Sequence, residues 1–209
     1  MKILLASIEK FLIKEGYSHL GIPRDKLRIG RVTTAIKGSQ DGSFKTYMEE
    51  YKQDMIKEGI YFEEIDIKDK STEEIYTFFE DKNVIQVEGG SPFYLLKYAR
   101  AVGFDNIVKN LLDKGLVYVG CSTGSYLMSP SFVLAIMKKG RNLYGITDFS
   151  AYGYVSYLVR PHYKNTMDDD LREMMKKIGN RIRLITNEQA ILIEDGKETF
   201  IGGPEIMLH

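Results

Sequence analysis

Three kinds of residue in this sequence could together carry out acyl transfer without a metal: a serine in a sharp turn, a histidine to take its proton, and a carboxylate to orient the histidine. The serine lies in Val117-Tyr118-Val119-Gly120-Cys121-Ser122-Thr123-Gly124-Ser125, an apolar strand followed by G-x-S-x-G and then a plausible helix. That spacing suits a tight strand-to-helix turn that exposes the Ser122 hydroxyl at the carboxyl end of a sheet, the flanking glycines leaving room for neighbouring backbone. The Thr123 amide would then sit at a helix N-terminus and face a developing oxyanion. The bland alternative is a plain glycine-rich turn; the strand before and the helix after favour the nucleophile. Cys121 stands beside the central position of the motif rather than at it, as a small packing residue would.

The sequence has three histidines. His19 lies in an early polar segment, and His209 ends the chain, where fraying opposes accurate placement. His162, in Val159-Arg160-Pro161-His162-Tyr163, follows an expected strand, and Pro161 stiffens its approach. Alone it would read as a hydrogen-bonded loop histidine; beside an elbow serine that needs a base it is the better choice. The carboxylate is left open by spacing, since Asp168, Asp169, Asp170, Glu173, Glu188, Glu194, Asp195 and Glu198 all lie downstream. The Asp168 to Asp170 run suits the solvated start of a helix. Gly89-Gly90, between a strand and a helix, is a candidate second source of bare backbone amides.

The elements that must position these residues alternate along the chain. Strands are expected at Lys2 to Ala6, Arg28 to Ala35, Tyr61 to Ile67, Val84 to Val87 and Leu116 to Val119. Helical spacing falls at Phe44 to Glu58, at Ser71 to Phe79 behind a capping box, and at Pro92 to Val102 and Asp105 to Leu112. Later come short strands at Tyr154 to Val159, Arg181 to Ile185, Ala190 to Ile193 and Thr199 to Ile201, with a helix at Asp168 to Ile178. This alternation predicts one α/β domain over residues 1 to 209, with a mostly parallel sheet and helices on both faces.

Composition narrows the function classes. The 209 residues carry 29 Lys plus Arg against 29 Asp plus Glu, so no basic surplus points to nucleic acid. One cysteine excludes an internal disulfide framework and a zinc cluster of several thiolates, and it fits a reducing compartment. The apolar start of the chain stops at Ser7, too soon for a signal peptide, and no run approaches the roughly 20 apolar residues of a membrane span. A cytoplasmic location with no membrane partner is the expectation.

Four blocks give the chain a resemblance to the peptidase E (aspartyl dipeptidase) family of serine peptidases, to which cyanophycinases are related. Val87-Glu88-Gly89-Gly90-Ser91-Pro92-Phe93-Tyr94-Leu95-Leu96 is similar to the family's G-G-N-T-x-x-L-L segment, and Gly120 to Ser125 resembles its G-x-S-A-G-[AS] elbow. Arg160-Pro161-His162-Tyr163 resembles its P-H-Y block, and Asn187-Glu188-Gln189-Ala190 the late block that supplies its acid. The resemblance implies a class I glutamine amidotransferase-like fold, Ser122 as nucleophile, His162 as base, Glu188 as orienting acid, and the Gly90 and Thr123 amides as oxyanion hole. The chain order of serine, histidine and acid differs from that of α/β-hydrolases. Ser91-Pro92 replaces the family's Asn-Thr, and Thr123 replaces its alanine. Ser91 and Arg160 are the candidate substrate contacts.

The expected function is a serine peptidase, dipeptidase-like, hydrolysing short peptides through an acyl-enzyme intermediate, with no metal or organic cofactor. The rivals are an esterase or amidase on the same three residues and a non-catalytic small-molecule-binding relative. A homodimer is implied by the resemblance alone.

Overall fold

The computed structural model describes residues 1–208 apart from 138–141 and 180. His209, set aside above as a base, lies outside the described residues. The chain begins with β1 (Lys2–Ala6) and α1 (Glu9–Lys14), then β2 (Arg28–Val32), α2 (Thr34–Lys37), α3 (Gly42–Lys57), β3 (Tyr61–Ile65) and α4 (Thr72–Phe79). It continues through β4 (Val84–Val87), α5 (Pro92–Ala101), α6 (Phe104–Asp113), β5 (Val117–Cys121) and α7 (Thr123–Met128). The last part holds β6 (Leu158–Arg160), α8 (Asp168–Ile178), β7 (Ile182–Leu184), β8 (Ala190–Glu194) and β9 (Lys197–Ile201).

Seven strands form one sheet in the order β3-β2-β4-β5-β1-β8-β9. The first five of that order are mutually parallel, while β8 runs antiparallel to β1 and β9 antiparallel to β8. The central strands are apolar on both faces because helices cover both, as a parallel sheet requires. Along β1 the side chains divide in strict alternation. Ile3 and Leu5 join a cluster with Phe93, Leu96, Phe104, Ile107 and Leu127, whereas Leu4 and Ala6 join Phe11, Leu12, Met48, Tyr51 and Met55 on the other face. The expected α/β fold with its mostly parallel sheet is present. No helix among the described residues is long and apolar enough to cross a membrane.

Four strands are shorter than expected, β3 ending at Ile65 and β7 spanning only Ile182–Leu184, and two fall furthest short. The run from Arg28 to Ala35 leaves the sheet after Val32 and turns into α2. There the Thr34 hydroxyl donates to Asp66 Oδ1 at 2.8 Å and accepts from the Ile67 amide at 3.0 Å, so a side-chain bridge replaces the ladder. The run from Tyr154 to Val159 is strand only from Leu158, because the amides of Tyr152, Gly153 and Val155 are already spent on the carbonyls of Leu127, Ser129 and Met128. The Ser71 capping box forms as expected, Ser71 and Glu74 each satisfying the other's backbone amide. β6 and β7 pair in parallel as a separate two-stranded sheet, with Arg160 opposite Leu184.

Beneath the loop that follows β4 lies a buried polar network. Arg31, on β2 and 1% exposed, donates from Nε to Glu88 Oε1 at 2.5 Å and from Nη1 to Glu64 at 2.7 Å. Gln86 Nε2 donates to the same Glu88 oxygen at 2.9 Å and to the Tyr51 hydroxyl, and Tyr17 donates to Gln86 Oε1 at 2.6 Å. Removing one partner of such a pair strands a buried charge, whereas an exposed pair contributes little. Arg31→Met is expected to lower unfolding stability in urea by about 3–5 kcal/mol. Arg28→Ala, which removes exposed contacts to Asp81 and the Tyr61 ring, should cost about 1 kcal/mol.

Candidate active site

The site is built from residues that each step off the carboxyl end of a strand. Ser122 follows β5, Ser7 follows β1, His162 follows β6, and Asn187 follows β7. In open α/β sheets ligands collect at this edge.

At the elbow, Ser122 has φ 48° and ψ −101°, a conformation that a non-glycine residue adopts only when its surroundings impose it. They do so here through several contacts. The Ser122 amide donates to the Ala6 carbonyl at 3.0 Å, and the Ser125 hydroxyl lies 2.8 Å from both the Ala6 and the Gly120 carbonyls. Tyr118, buried in β5, donates to the Gly124 carbonyl at 2.8 Å. A β-carbon on Gly124 would stand 2.1 Å from the Val87 carbonyl oxygen, so only glycine lets α7 pack this closely on β4. Burial pushes the Cys121 thiol up, and it stays a packing residue in the core.

His162 Nε2 lies 2.8 Å from Ser122 Oγ. Its φ of 56° is again in the left-handed region, and its amide donates to Ser7 Oγ at 2.6 Å. On the far side of the ring, His162 Nδ1 lies 2.9 Å from Asn187 Oδ1, which also accepts from the Ser7 hydroxyl at 3.2 Å. Two donors on Oδ1 fix the amide orientation, and an acceptor at Nδ1 selects the tautomer whose Nε2 lone pair faces Ser122. The β6–β7 pairing supplies the register: the Ile185 amide donates to the Arg160 carbonyl and the Tyr163 amide to the Ile185 carbonyl, bringing the strand ends that bear His162 and Asn187 together.

Glu188 is not the group beside His162. Its carboxylate points to the other side of the turn and pairs with Lys14 Nζ at 2.7 Å, both side chains exposed. Asn187 and Glu188 are the two residues of the turn between β7 and β8, and a shift of one position there separates a ring contact from a surface ion pair. Nothing in the sequence distinguishes Asn187, because an amide carries no charge by which the familiar serine–histidine–acid pattern would mark it. Ser7 was likewise missed; its only signal was its place just beyond β1, the counterpart of Ser122 beyond β5.

Gly90 and Thr123 stand on opposite sides of Ser122 in chain terms but touch each other, the Thr123 hydroxyl donating to the Gly90 carbonyl at 3.0 Å. Among the described residues neither backbone amide has a protein acceptor. Gly90, at φ 134°, packs so tightly on α2 that a β-carbon would lie 2.3 Å from the Ala35 carbonyl oxygen. The threonine at 123 thus ties the two loops whose amides the sequence singles out.

A cleft of about 770 Å³ opens over Ser122 and His162 and is also lined by Ser91, Arg160, Tyr126 and Asp170. Arg160 donates from Nη1 to the Tyr126 hydroxyl at 3.3 Å and from Nη2 to Met167 Sδ at 3.5 Å, while its buried Nε has no partner. Among the described residues no carboxylate pairs with it. Glu9 also borders the cleft, its carboxyl raised to about 7 first by burial and then by Glu88, and it accepts from the Gly89 amide at 2.9 Å. Donor atoms of Glu9, Glu88 and Cys121 come within 4.8 Å of one another. That set suits a cation poorly, since Arg31 already holds Glu88 and the Cys121 thiol keeps its proton.

The chain is similar to known peptidases in sequence and in fold. Residues 34–201 match the model of peptidase family S51. An uncharacterized peptidase of Listeria monocytogenes is 31% identical over 159 residues, covering 73% of this chain and 76% of the relative. One of Pasteurella multocida is 25% identical over 155 residues, covering 72% and 75%. Among solved structures, a Listeria monocytogenes EGD-e protein provisionally called peptidase E superposes with a TM-score of 0.81 at 24% identity, covering 97% of this chain and 98% of its own. A peptidase from an acI-B1 actinobacterium gives 0.64 at 17%, covering 97% and 87%. At those identities the structures speak for the fold, which is the glutamine amidotransferase-like arrangement that the sequence motifs imply. The chain belongs to peptidase family S51 and is a peptidase of the serine type.

Proposed function

We propose that this chain hydrolyses short peptides, as a dipeptidase does, through an acyl-enzyme on Ser122 with a serine–histidine–asparagine arrangement. The observation that carries the reading is the line of two contacts through the imidazole, 2.8 Å to Ser122 Oγ and 2.9 Å to Asn187 Oδ1. Ser122 Oγ attacks the peptide carbonyl carbon while His162 Nε2 takes the hydroxyl proton, and the carbonyl oxygen becomes an oxyanion facing the Gly90 and Thr123 amides. His162 then gives its proton to the leaving nitrogen as the C–N bond breaks. Water, deprotonated by the same Nε2, attacks the ester carbonyl; the bond to Ser122 Oγ then breaks as His162 returns the proton to that oxygen, and the acid leaves.

Asn187 orients the ring and fixes its tautomer but supplies no negative charge to the imidazolium, unlike a carboxylate in that place. Arg160 stands at the cleft wall with no carboxylate partner among the described residues, which suits a carboxylate of the substrate. Ser91, beside Gly90 at the cleft, contributes a further polar contact. A cleft of this volume accommodates a few residues of peptide. An esterase or amidase using the same machinery differs only in the acyl group and leaving group accepted, which substrate profiling separates.

Labelling with a fluorophosphonate tests the activated serine. Wild type is expected to label, Ser122→Ala not at all, and His162→Ala about 10²–10⁴-fold more slowly; equal labelling of folded wild type and Ser122→Ala would overturn the assignment. Hydrolysis of a dipeptide panel, with esters of the same acids alongside, then decides peptidase against esterase. Asn187→Asp places a charge against the ring, so the acid limb of the labelling profile should move to higher pH; an unmoved limb would mean that Asn187 does not face the imidazole. Arg160→Met should raise KM for carboxylate-bearing peptides by about tenfold or more and leave kcat within a few-fold.

A further inference from the structure

We propose that Glu9 is a positioning residue of the oxyanion hole, whose carboxyl holds the Gly89 amide and thereby leaves the Gly90 amide turned to the reacting centre. The proposal rests on the reading of Ser122 as the reacting group. Glu9 is the first residue of α1, is 2% exposed, and reaches from the β1 end of the cleft to the loop after β4. Its Oε1 accepts from Gly89 at 2.9 Å. The position that a β-carbon on Gly89 would occupy lies 3.0 Å from Glu9 Oε1 and 3.3 Å from Ser122 Cβ, so the carboxyl and the serine flank the same glycine. With the Gly89 amide thus occupied, the next amide, that of Gly90, is the one free to receive an oxyanion.

Charge decides the form in which Glu9 can do this. A carboxylate this close to a developing oxyanion would oppose it, whereas a carboxylic acid accepts from Gly89 without that penalty. Burial and the neighbouring Glu88 favour the acid and outweigh the hydrogen bonds from the Gly89 amide and the Tyr47 hydroxyl, which favour the carboxylate. Facing Glu9 are Glu88, whose Oε1 is taken by Arg31 and Gln86 and whose buried Oε2 has no partner, the buried Cys121 thiol, and the Tyr47 hydroxyl, which also accepts from the Lys10 amide. Arg31 is directed at Glu88 rather than at Glu9. Burial and the neighbouring carboxylate raise Glu9 to about 7. Because the folded state binds this proton more tightly than the unfolded chain does, the stabilisation is complete below about pH 4.5 and is lost as pH rises through about 7. The neutral form of His162 is the one that can take the Ser122 proton.

The test compares fluorophosphonate labelling rates across pH for wild type, Glu9→Gln and Glu9→Ala. Wild-type labelling is expected to rise as His162 loses its proton and to fall above about pH 7 as Glu9 ionises. Glu9→Gln keeps the acceptor and cannot ionise, so it should match wild type within about threefold at low pH and exceed it several-fold near pH 8.5. Glu9→Ala should lose about 10²-fold at every pH. A Glu9→Gln profile that falls in parallel with wild type, or a Glu9→Ala protein that labels normally, overturns the proposal. Infrared spectroscopy of unlabelled wild type gives a readout independent of folding of the variants and of any hydrolytic activity: a protonated-carboxyl band should disappear between about pH 6 and 8. Its absence at pH 6 overturns the proposal even if Ser122 labels. A chain whose serine never labels would sink the hydrolase reading, and the infrared titration would still judge Glu9.

Discussion

The conformation of Ser122 is the constraint on which the rest of this molecule is arranged. A serine at positive φ is costly, on the order of 1–3 kcal/mol, and persists only where neighbours over-determine it. Its amide is held by the Ala6 carbonyl across the β1–β5 pairing, its helix is held by Tyr118 and Ser125, and the approach of α7 to β4 leaves no room for a side chain at 124. Each contact depends on strand register, with Ala6 opposite Cys121 and Val87 opposite Gly120. A slip of one residue in either pairing would move the hydroxyl away from the cleft. The hydrophobic alternation that builds the sheet therefore also aims the serine.

Electrostatics at the site differ from those of a triad ending in an acid. The group at His162 Nδ1 is an amide oxygen, itself anchored by Ser7, and Ser7 in turn takes the His162 backbone amide. In the proposed mechanism the Asn187 amide orients the ring, and the backbone amides of Gly90 and Thr123 meet the oxyanion. The buried pair of Arg31 and Glu88 beneath those amides gives their loop a rigid floor. Arg160 lines the cleft, and among the described residues no carboxylate pairs with it.

Much of this was legible in the sequence because the signals are local. The extent of β1, β4 and α8, the capping box at Ser71 and the strand–turn–helix around Ser122 follow from short-range periodicity and turn chemistry. His162 emerged by elimination among three histidines and lies at the serine. What was not legible depends on long-range pairing. The choice between Asn187 and Glu188 is set by how β7 sits against β6, the role of Ser7 by the position of β1, and the early end of β2 by Thr34 meeting Asp66. The burial of Glu9 was invisible for the same reason: a charged residue after a polar turn reads as solvated until its neighbours are known.

The central claim, an acyl-enzyme on Ser122, is tested most directly by quenching turnover of a dipeptide ester within its first cycles and measuring the intact mass of the protein. The account predicts a transient increase equal to the acyl group, located by digestion to the peptide containing Ser122, that decays as acid is released. Turnover of that substrate by folded protein with no covalent adduct at any quench time, and with the rate unchanged in Ser122→Ala, would contradict it.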